Sequence, residues 1–174
     1  MTAELPTVKD AHPCFSAAAH IKFARIHLPV APLCNIGCKY CIRSLNKVEN
    51  RPGVASAIIS PEQAMERVRE AKARLPLTVV GIAGPGDALA NAETFTTFDL
   101  VEREFPELMK CLSTNGLALP DCVEELKRLR ITTLTVTVNA VKPETAVNFY
   151  DFVVLDGKAF KGLEGARILV ERQK

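Results

Sequence analysis

Apolar residues recur along this chain with two alternating periods. Residues 61–75 carry them every three or four positions, which predicts a helix with one apolar face. Ser60-Pro61-Glu62-Gln63 precedes this pattern and reads as a capping box, with Ser60 as N-cap and Pro61 at the first helical position. The following run, residues 77–83, is continuously apolar, as in a strand that is buried on both faces of a parallel sheet.

The alternation of strands and helices continues to the end of the chain. Asp121 and Glu124 predict a cap for a helix that ends near Arg130, and Pro143 opens a short helix. Strands are predicted at 25–30, 77–83, 108–112, 132–138 and 152–155, and further helices at 17–23, 93–104 and 162–172. This order predicts an α/β fold with a parallel sheet of about five βα units and right-handed crossovers. Ligands bind such folds at the carboxyl ends of the strands.

Three cysteines follow the first predicted strand with the spacing C-x3-C-x2-C: Cys34, Cys38 and Cys41. Three thiolates in a short loop can hold three irons of a [4Fe-4S] cluster and leave the fourth iron open to a small molecule. Zinc is the alternative, but structural zinc sites use four ligands, usually as two C-x2-C pairs or a Cys/His set. The spacing therefore favours an iron-sulfur cluster with an open iron.

The composition indicates the class of protein that carries these cysteines and the compartment in which it works. The 174 residues are 48% hydrophobic and 24% charged, which is typical of a globular enzyme domain, and the net charge of +2 indicates no nucleic-acid partner. No signal peptide and no apolar run of membrane-spanning length is present, so we expect a cytoplasmic protein without a membrane partner. Its six cysteines are then better explained as metal ligands or reduced thiols than as disulfides.

The cysteine loop, with Tyr40 directly before Cys41, resembles the signature of radical S-adenosylmethionine (SAM) enzymes. In that family the three cysteines hold the cluster and the amino and carboxylate groups of SAM chelate the fourth iron. An electron from the cluster then cleaves SAM to a 5'-deoxyadenosyl radical. Six further motifs make the chain similar to the radical SAM maturases of the nitrogenase iron-molybdenum cofactor: His12-Pro13-Cys14, Ala24-Arg25-Ile26-His27, Ala31-Pro32-Leu33-Cys34-Asn35, Arg51-Pro52-Gly53-Val54, Gly81-Ile82-Ala83-Gly84-Pro85-Gly86-Asp87 and Cys111-Leu112-Ser113-Thr114-Asn115-Gly116-Leu117.

The resemblance runs from about residue 12 to the C-terminus. It implies that residues 12–174 form a radical SAM core domain, a partial (β/α) barrel, and we expect residues 1–11 to be a mobile N-terminal arm. The family barrel has six units where the pattern here gives about five, so a shortened family member and a piece of a longer protein both remain open.

The resemblance also implies a SAM pocket. Gly84, Gly86 and Asp87 occupy the place of the family's glycine-rich SAM motif, where an acidic group would match the SAM ammonium; a plain Pro-Gly turn capped by Asp is the alternative. Tyr40 would stack on the adenine or present its backbone to it, or else pack against the loop. Short polar groups on later strand ends suit the SAM carboxylate and ribose: Ser113, Thr114, Asn115 and Asn139. Arg43 would contact a carboxylate or be solvated.

A second iron-sulfur site follows only from the resemblance. Cys14, His27 and Cys111 match family positions that look like ligands of a further [4Fe-4S] cluster. Without the resemblance, Cys111 would be interpreted as a small core residue and His27 as a structural histidine. Cys122 is predicted to be core. Two features depart from the family: Asn46-Lys47 stands where it has another cysteine, and a C-terminal C-x2-C is absent.

The implied reaction fuses two [4Fe-4S] substrate clusters with a carbide from a SAM methyl group into an eight-iron cofactor precursor. The implied partners are SAM, the iron-sulfur cluster substrate, an electron donor such as a ferredoxin or flavodoxin, and cluster-delivery or cofactor-carrier proteins. Two alternatives stay open, namely a related radical SAM enzyme with a different substrate and a non-catalytic iron-sulfur carrier.

Overall fold

The computed structural model describes residues 7–42, 44–45 and 54–174. The helices are α1 (Val8–Ala11), α2 (Ala17–Lys22), α3 (Pro61–Arg74), α4 (Ala92–Glu104), α5 (Leu119–Arg128), α6 (Pro143–Ala146) and α7 (Gly162–Arg172), with a 3-10 turn at Ala88–Ala90. The strands are β1 (Ala24–His27), β2 (Ile36–Cys38), β3 (Ser44–Leu45), β4 (Val54–Ala55), β5 (Leu77–Ile82), β6 (Met109–Thr114), β7 (Ile131–Val136), β8 (Tyr150–Leu155) and β9 (Lys158–Lys161).

Four strands form a parallel sheet in the order β1-β5-β6-β7. Its helix-side face packs on α3, α4 and α5 through the main core, which includes Val68, Val80, Phe98 and Leu112. In β6 Leu112 enters this core, so Cys111 and Ser113 point to the opposite face, because side chains alternate along a strand. The predicted α/β fold with a parallel sheet is confirmed, and all four strands end towards the same edge.

The fifth predicted strand does not extend this sheet. β8 pairs antiparallel with β2 on one side and with β9 on the other. The chain reverses at Asp156 and Gly157, whose φ values of 50° and 74° are those of a tight hairpin turn. The hairpin places β8 beside β2, and β2 carries part of the cysteine loop. This antiparallel sheet therefore supports the loop, a task that the strand and helix pattern did not reveal.

The helix ends test two sequence predictions. Ser60 caps α3 with Gln63 reaching back, so the predicted capping box is confirmed. The predicted cap at Asp121 is wrong, because α5 begins at Leu119 with Ala118 as N-cap and no side-chain cap bond. The Asp121 carboxylate contacts the Arg172 guanidinium instead. The local sequence resembles a helix cap, but in the folded chain the Asp121 side chain forms this tertiary ion pair instead.

Some sequence predictions lie outside the described residues: Arg43, Asn46, Lys47, residues 51–53 of the fourth motif, and residues 1–6 of the predicted arm. Within the described part of that arm, Val8–Ala11 form α1 and Ala11 is buried. Cys14 lies in a turn after an extended His12, as the following proline predicted. Across the described ranges, every helix is too short or too polar to cross a bilayer.

Candidate active site

The cysteine loop faces the carboxyl ends of β5, β6 and β7 across one cavity of about 320 Å³. Ten of the residues predicted from the sequence line it: Cys34, Cys38, Tyr40, Cys41, Gly86, Asp87, Ser113, Thr114, Asn115 and Asn139. The lining also includes residues that were not predicted as site residues: Ile36, Ala83, Pro85, Thr137 and Tyr150. Gly84 is not in the lining, but it precedes Pro85 through a cis peptide bond in the same loop.

The glycine-rich loop lies directly against the cysteine loop. The backbone N–H of Gly86 donates to the carbonyl of Ala31 at 2.7 Å, and that of Asp87 donates to the carbonyl of Leu33 at 2.8 Å. A Cβ atom at Gly86 would lie 2.0 Å from the Leu33 carbonyl oxygen. Only glycine allows this approach, so the glycine at this position has a steric reason that is independent of any ligand.

Asp87 has its hydrogen-bonding partners inside the chain. Its carboxylate accepts from the Thr114 hydroxyl, from the Asn115 backbone N–H at 2.5 Å and from the Leu89 backbone N–H at 3.0 Å. Burial raises the pKa of Asp87, and these donors partly oppose the rise. The carboxylate thus ties the loop after β5 to the end of β6, while its predicted contact with the SAM ammonium stays a prediction.

Asn115 joins the end of β6 to the cysteine loop. Its Nδ2 donates to Asn35 Oδ1 at 2.7 Å and lies 3.8 Å from Cys34 Sγ. Its Oδ1 accepts from the backbone N–H of Leu117 at 2.8 Å. The side-chain amide therefore has partners on both sides within the protein, and it fixes the cysteine loop relative to the parallel sheet.

Two phenols and one amide close the other side of the cavity. Asn139 Nδ2 lies 2.6 Å from the hydroxyl of Tyr40 and 3.0 Å from that of Tyr150. Burial, as the largest effect, raises the pKa of Tyr40 to about 12, so its phenol stays protonated. Tyr40 remains 46% exposed, so its side chain is still accessible to a ligand.

Asn91 is a buried residue of this region that sequence reasoning missed. It stands directly before α4, and a local pattern would assign it to the N-cap. The structure instead bonds its side chain to Leu33, 58 positions earlier in the chain. No local signal predicts a partner at that separation.

The predicted second site lies on the same face of the sheet as Ser113. His27, Gly81 and Cys111 are register partners on three adjacent strands, and Gly81 leaves room for the His27 ring. Burial first, and then the charge of Cys14, raise the pKa of Cys111, whereas burial lowers the pKa of His27. Cys14 Sγ accepts from the Arg25 guanidinium. The structure brings these residues to one region, and their role as ligands stays a prediction. Cys122 packs partly buried against the main core, as expected.

The donors that the cysteine loop brings to this cavity are three thiolates, a set that fits a [4Fe-4S] cluster. Among the described residues, no three His, Cys, Asp or Glu side chains are close enough together to hold one metal ion. A [4Fe-4S] cluster makes a different demand, because each thiolate binds a different iron and the sulfurs stay further apart. Cys34, Cys38 and Cys41 all line this cavity, so their thiolates could hold such a cluster there.

The fold and this site together define a class of protein. The Radical SAM superfamily model matches residues 28–163, which include the cysteine loop, the glycine-rich loop and the strand ends, and the chain belongs to that superfamily. Within it, the chain is 49% identical over 166 residues to the FeMo cofactor biosynthesis protein NifB of Methanocaldococcus infernus, covering 94% of this chain and 55% of that protein. It is 48% identical to NifB of Klebsiella pneumoniae, over 99% of this chain and 38% of that protein.

NifB of Azotobacter vinelandii is 46% identical over 94% of this chain and 33% of its own length. The resemblance to radical SAM enzymes and to the nitrogenase cofactor maturases is thereby confirmed. The chain spans between about one third and just over half of the length of these relatives.

Proposed function

We propose that this chain is the radical SAM core of a NifB-like enzyme of nitrogenase cofactor biosynthesis. The observation that carries the proposal is the convergence of Cys34, Cys38 and Cys41 with polar strand ends on one cavity of about 320 Å³. The similarity to NifB proteins supports the same reading. A metal site alone would not require polar groups from three further strand ends.

In this proposal Cys34, Cys38 and Cys41 hold a [4Fe-4S] cluster through their thiolates. When bound, the cluster supplies the electron for the reductive cleavage of SAM. The chain's own contribution is to bind and orient SAM, because a cofactor enzyme mainly positions the reacting atoms and excludes competing reactions. Ser113, Thr114 and Asn139 would contact the polar groups of SAM, and Tyr40 its adenine.

Asp87 would act on this pocket mainly through the protein. Its oxygens accept from Thr114, Asn115 and Leu89, so it sets the distance between the glycine-rich loop and the end of β6. An ammonium group at this place would add a charge that favours the ionised carboxylate, which burial disfavours. Binding of SAM and ionisation of Asp87 would thus support each other.

The substrate would be [4Fe-4S] clusters that are converted to a carbide-containing eight-iron precursor. Cys14, His27 and Cys111 would hold one substrate cluster on the sheet face beside the SAM cavity. An electron donor such as a ferredoxin or flavodoxin, and cluster-delivery or cofactor-carrier proteins, would complete the system. A related radical SAM enzyme with another substrate is the second candidate, because Asn46-Lys47 stands where the resemblance to the maturases implies a cysteine.

The test is SAM cleavage by the anaerobically reconstituted and reduced chain, measured as formation of 5'-deoxyadenosine. We expect formation by the wild type and none by a variant with Cys34, Cys38 and Cys41 changed to Ala. Cys122→Ala is the matched control and should behave as the wild type, because Cys122 lies in α5 and packs against the main core. A reconstituted wild type that holds a cluster but makes no 5'-deoxyadenosine would favour the non-catalytic carrier. Cleavage without an eight-iron product from added clusters would favour the second enzyme.

A further inference from the structure

Cys34 is held through its two neighbours in the chain. Asn35 is bonded to Asn115 at the end of β6, as described above. On the other side, the backbone of Leu33 is bonded to Asn91, which stands at the start of α4. The first iron ligand of the proposed site therefore lies between two clamps, one from the sheet and one from a helix.

Both the oxygen and the nitrogen of the Asn91 side-chain amide make hydrogen bonds. Oδ1 accepts from the Leu33 backbone N–H at 3.0 Å, and Nδ2 donates to the Leu33 carbonyl at 2.9 Å. Nδ2 also donates to the Asp87 carbonyl at 2.7 Å. The residue is only 3% exposed, so its amide depends on these protein partners. One amide thus fixes both the cysteine loop and the glycine-rich loop.

This arrangement has a local cost for α4. Asn is among the best N-cap residues, and a capping side chain stabilises the helix that it begins. Asn91 occupies the N-cap of α4 without making a side-chain cap bond, because its amide is turned towards Leu33. α4 therefore lacks a side-chain cap, and the Asn91 amide bonds to the loop that carries Cys34 instead.

We propose that Asn91 is a positioning residue of the iron-sulfur site, which fixes the backbone at Leu33 and so the place of the Cys34 thiolate. The inference rests on the proposed function, in which Cys34 is an iron ligand. Groups that orient metal ligands typically change metal affinity by about 10- to 100-fold when they are removed. Loss of the Asn91 amide removes the acceptor of the Leu33 backbone N–H and one of the two donors to the Leu33 carbonyl, which keeps only the Asp87 backbone N–H. The backbone next to Cys34 is then less firmly held.

The test is the rate at which anaerobically reconstituted protein loses iron to an added chelator. Asn91→Ala removes the clamp, and Asn91→Asp keeps the shape and the acceptor for the Leu33 N–H but removes both donated bonds. Two controls separate the clamp from general stability. Thr94→Val removes a buried hydroxyl of the same helix that has no hydrogen-bond partner among the described residues, and Val68→Ala opens a cavity in the main core away from the loop.

We expect both Asn91 variants to lose iron about tenfold faster than the wild type, with an altered electron paramagnetic resonance spectrum of the reduced cluster. Thr94→Val and Val68→Ala should lose it at the wild-type rate. Equal rates for the Asn91 variants and wild type would overturn the inference, and so would equally fast loss from Val68→Ala. A wild type that takes up no iron would overturn the proposed function itself, and this outcome is visible without any variant. If Asn91→Ala does not fold, the comparison is made with Asn91→Asp.

Discussion

The hydroxyl of Thr114 lies 2.9 and 3.0 Å from the two carboxylate oxygens of Asp87. Thr114 ends β6, and Asp87 ends the loop that follows β5, so this contact joins two neighbouring strand ends in the lining of the proposed SAM pocket. Asp87 is 4% exposed, and its environment therefore decides its protonation.

Asp87 should make stability depend on pH in a recognisable direction. Burial raises its folded-state pKa above the ordinary value of 3.8. Below the ordinary value both states bind the proton, whereas between the two pKa values the folded chain binds more protons than the unfolded chain. The contribution of Asp87 to the free energy of unfolding is then lost as the pH rises through the folded pKa.

Urea unfolding at a series of pH values checks this, with Asp87→Asn as the comparison. The stability of the wild type relative to Asp87→Asn should decrease as the pH rises from about 4 and then level off. Other carboxyl groups titrate in both proteins and cancel in the difference. A relative stability that increases over the same range would show that the donors around Asp87 outweigh its burial.

Gly86→Ala should destabilise the chain by steric conflict. The new Cβ would lie 2.0 Å from the Leu33 carbonyl oxygen, so the two loops must separate, at a cost of about 1–3 kcal/mol or more. Gly157→Ala is the control, because a Cβ there has nothing within 4 Å and only its positive φ opposes the substitution. The measurement is the free energy of unfolding in urea, supported by iron content after reconstitution. If Gly86→Ala retains its cluster and unfolds like the wild type, the loops are not in the contact described.

Gln173→Ala should weaken SAM binding. Gln173 Nε2 donates to the carbonyls of Asn115 at 2.6 Å and Thr137 at 3.1 Å, and both residues line the proposed pocket. Its removal leaves two strand-end carbonyls without this donor, which should cost about 1–3 kcal/mol of stability. The SAM dissociation constant of the reconstituted protein, from equilibrium dialysis, should rise.

Lys174→Ala is the neighbouring control for Gln173. Lys174 makes an exposed ion pair with Glu171 at 2.8 Å, and such pairs contribute about 0–1 kcal/mol. It should bind SAM as the wild type does. Equal SAM affinity for Gln173→Ala and Lys174→Ala would mean that the strand ends keep their places without the Gln173 amide.

The iron content of cysteine variants should show whether the chain holds one cluster or two. If Cys14, His27 and Cys111 hold a further cluster, a variant with Cys34, Cys38 and Cys41 changed to Ala should keep iron and sulfide, with a spectrum that differs from that of the wild type. Adding Cys111→Ala to this variant should remove the remaining iron. A triple variant without iron would show that the chain holds a cluster only in the loop, and would leave Cys14, His27 and Cys111 with a structural role.

Local patterns predicted the elements that depend on near neighbours. Ser60 and Gln63 are three positions apart, and the capping box forms as the sequence implies. The strand at residues 77–83 and the helix at 162–172 also follow from short-range periodicity. β8 was predicted as a strand, but its antiparallel partner β2 was not, because pairing depends on where a distant segment lies.

The sequence by itself determined the superfamily, the three cysteines of the loop and most of the cavity lining, because these are carried by residue type, spacing and strand ends. The tertiary structure alone decided how these residues are held. It bonded Asn91 to Leu33, Asn115 to Asn35 and Asp87 to Thr114, over 27 to 80 positions of the chain. Such contacts leave no periodic signal, since a side-chain amide or carboxylate finds its partner only after the sheet has brought the loops together.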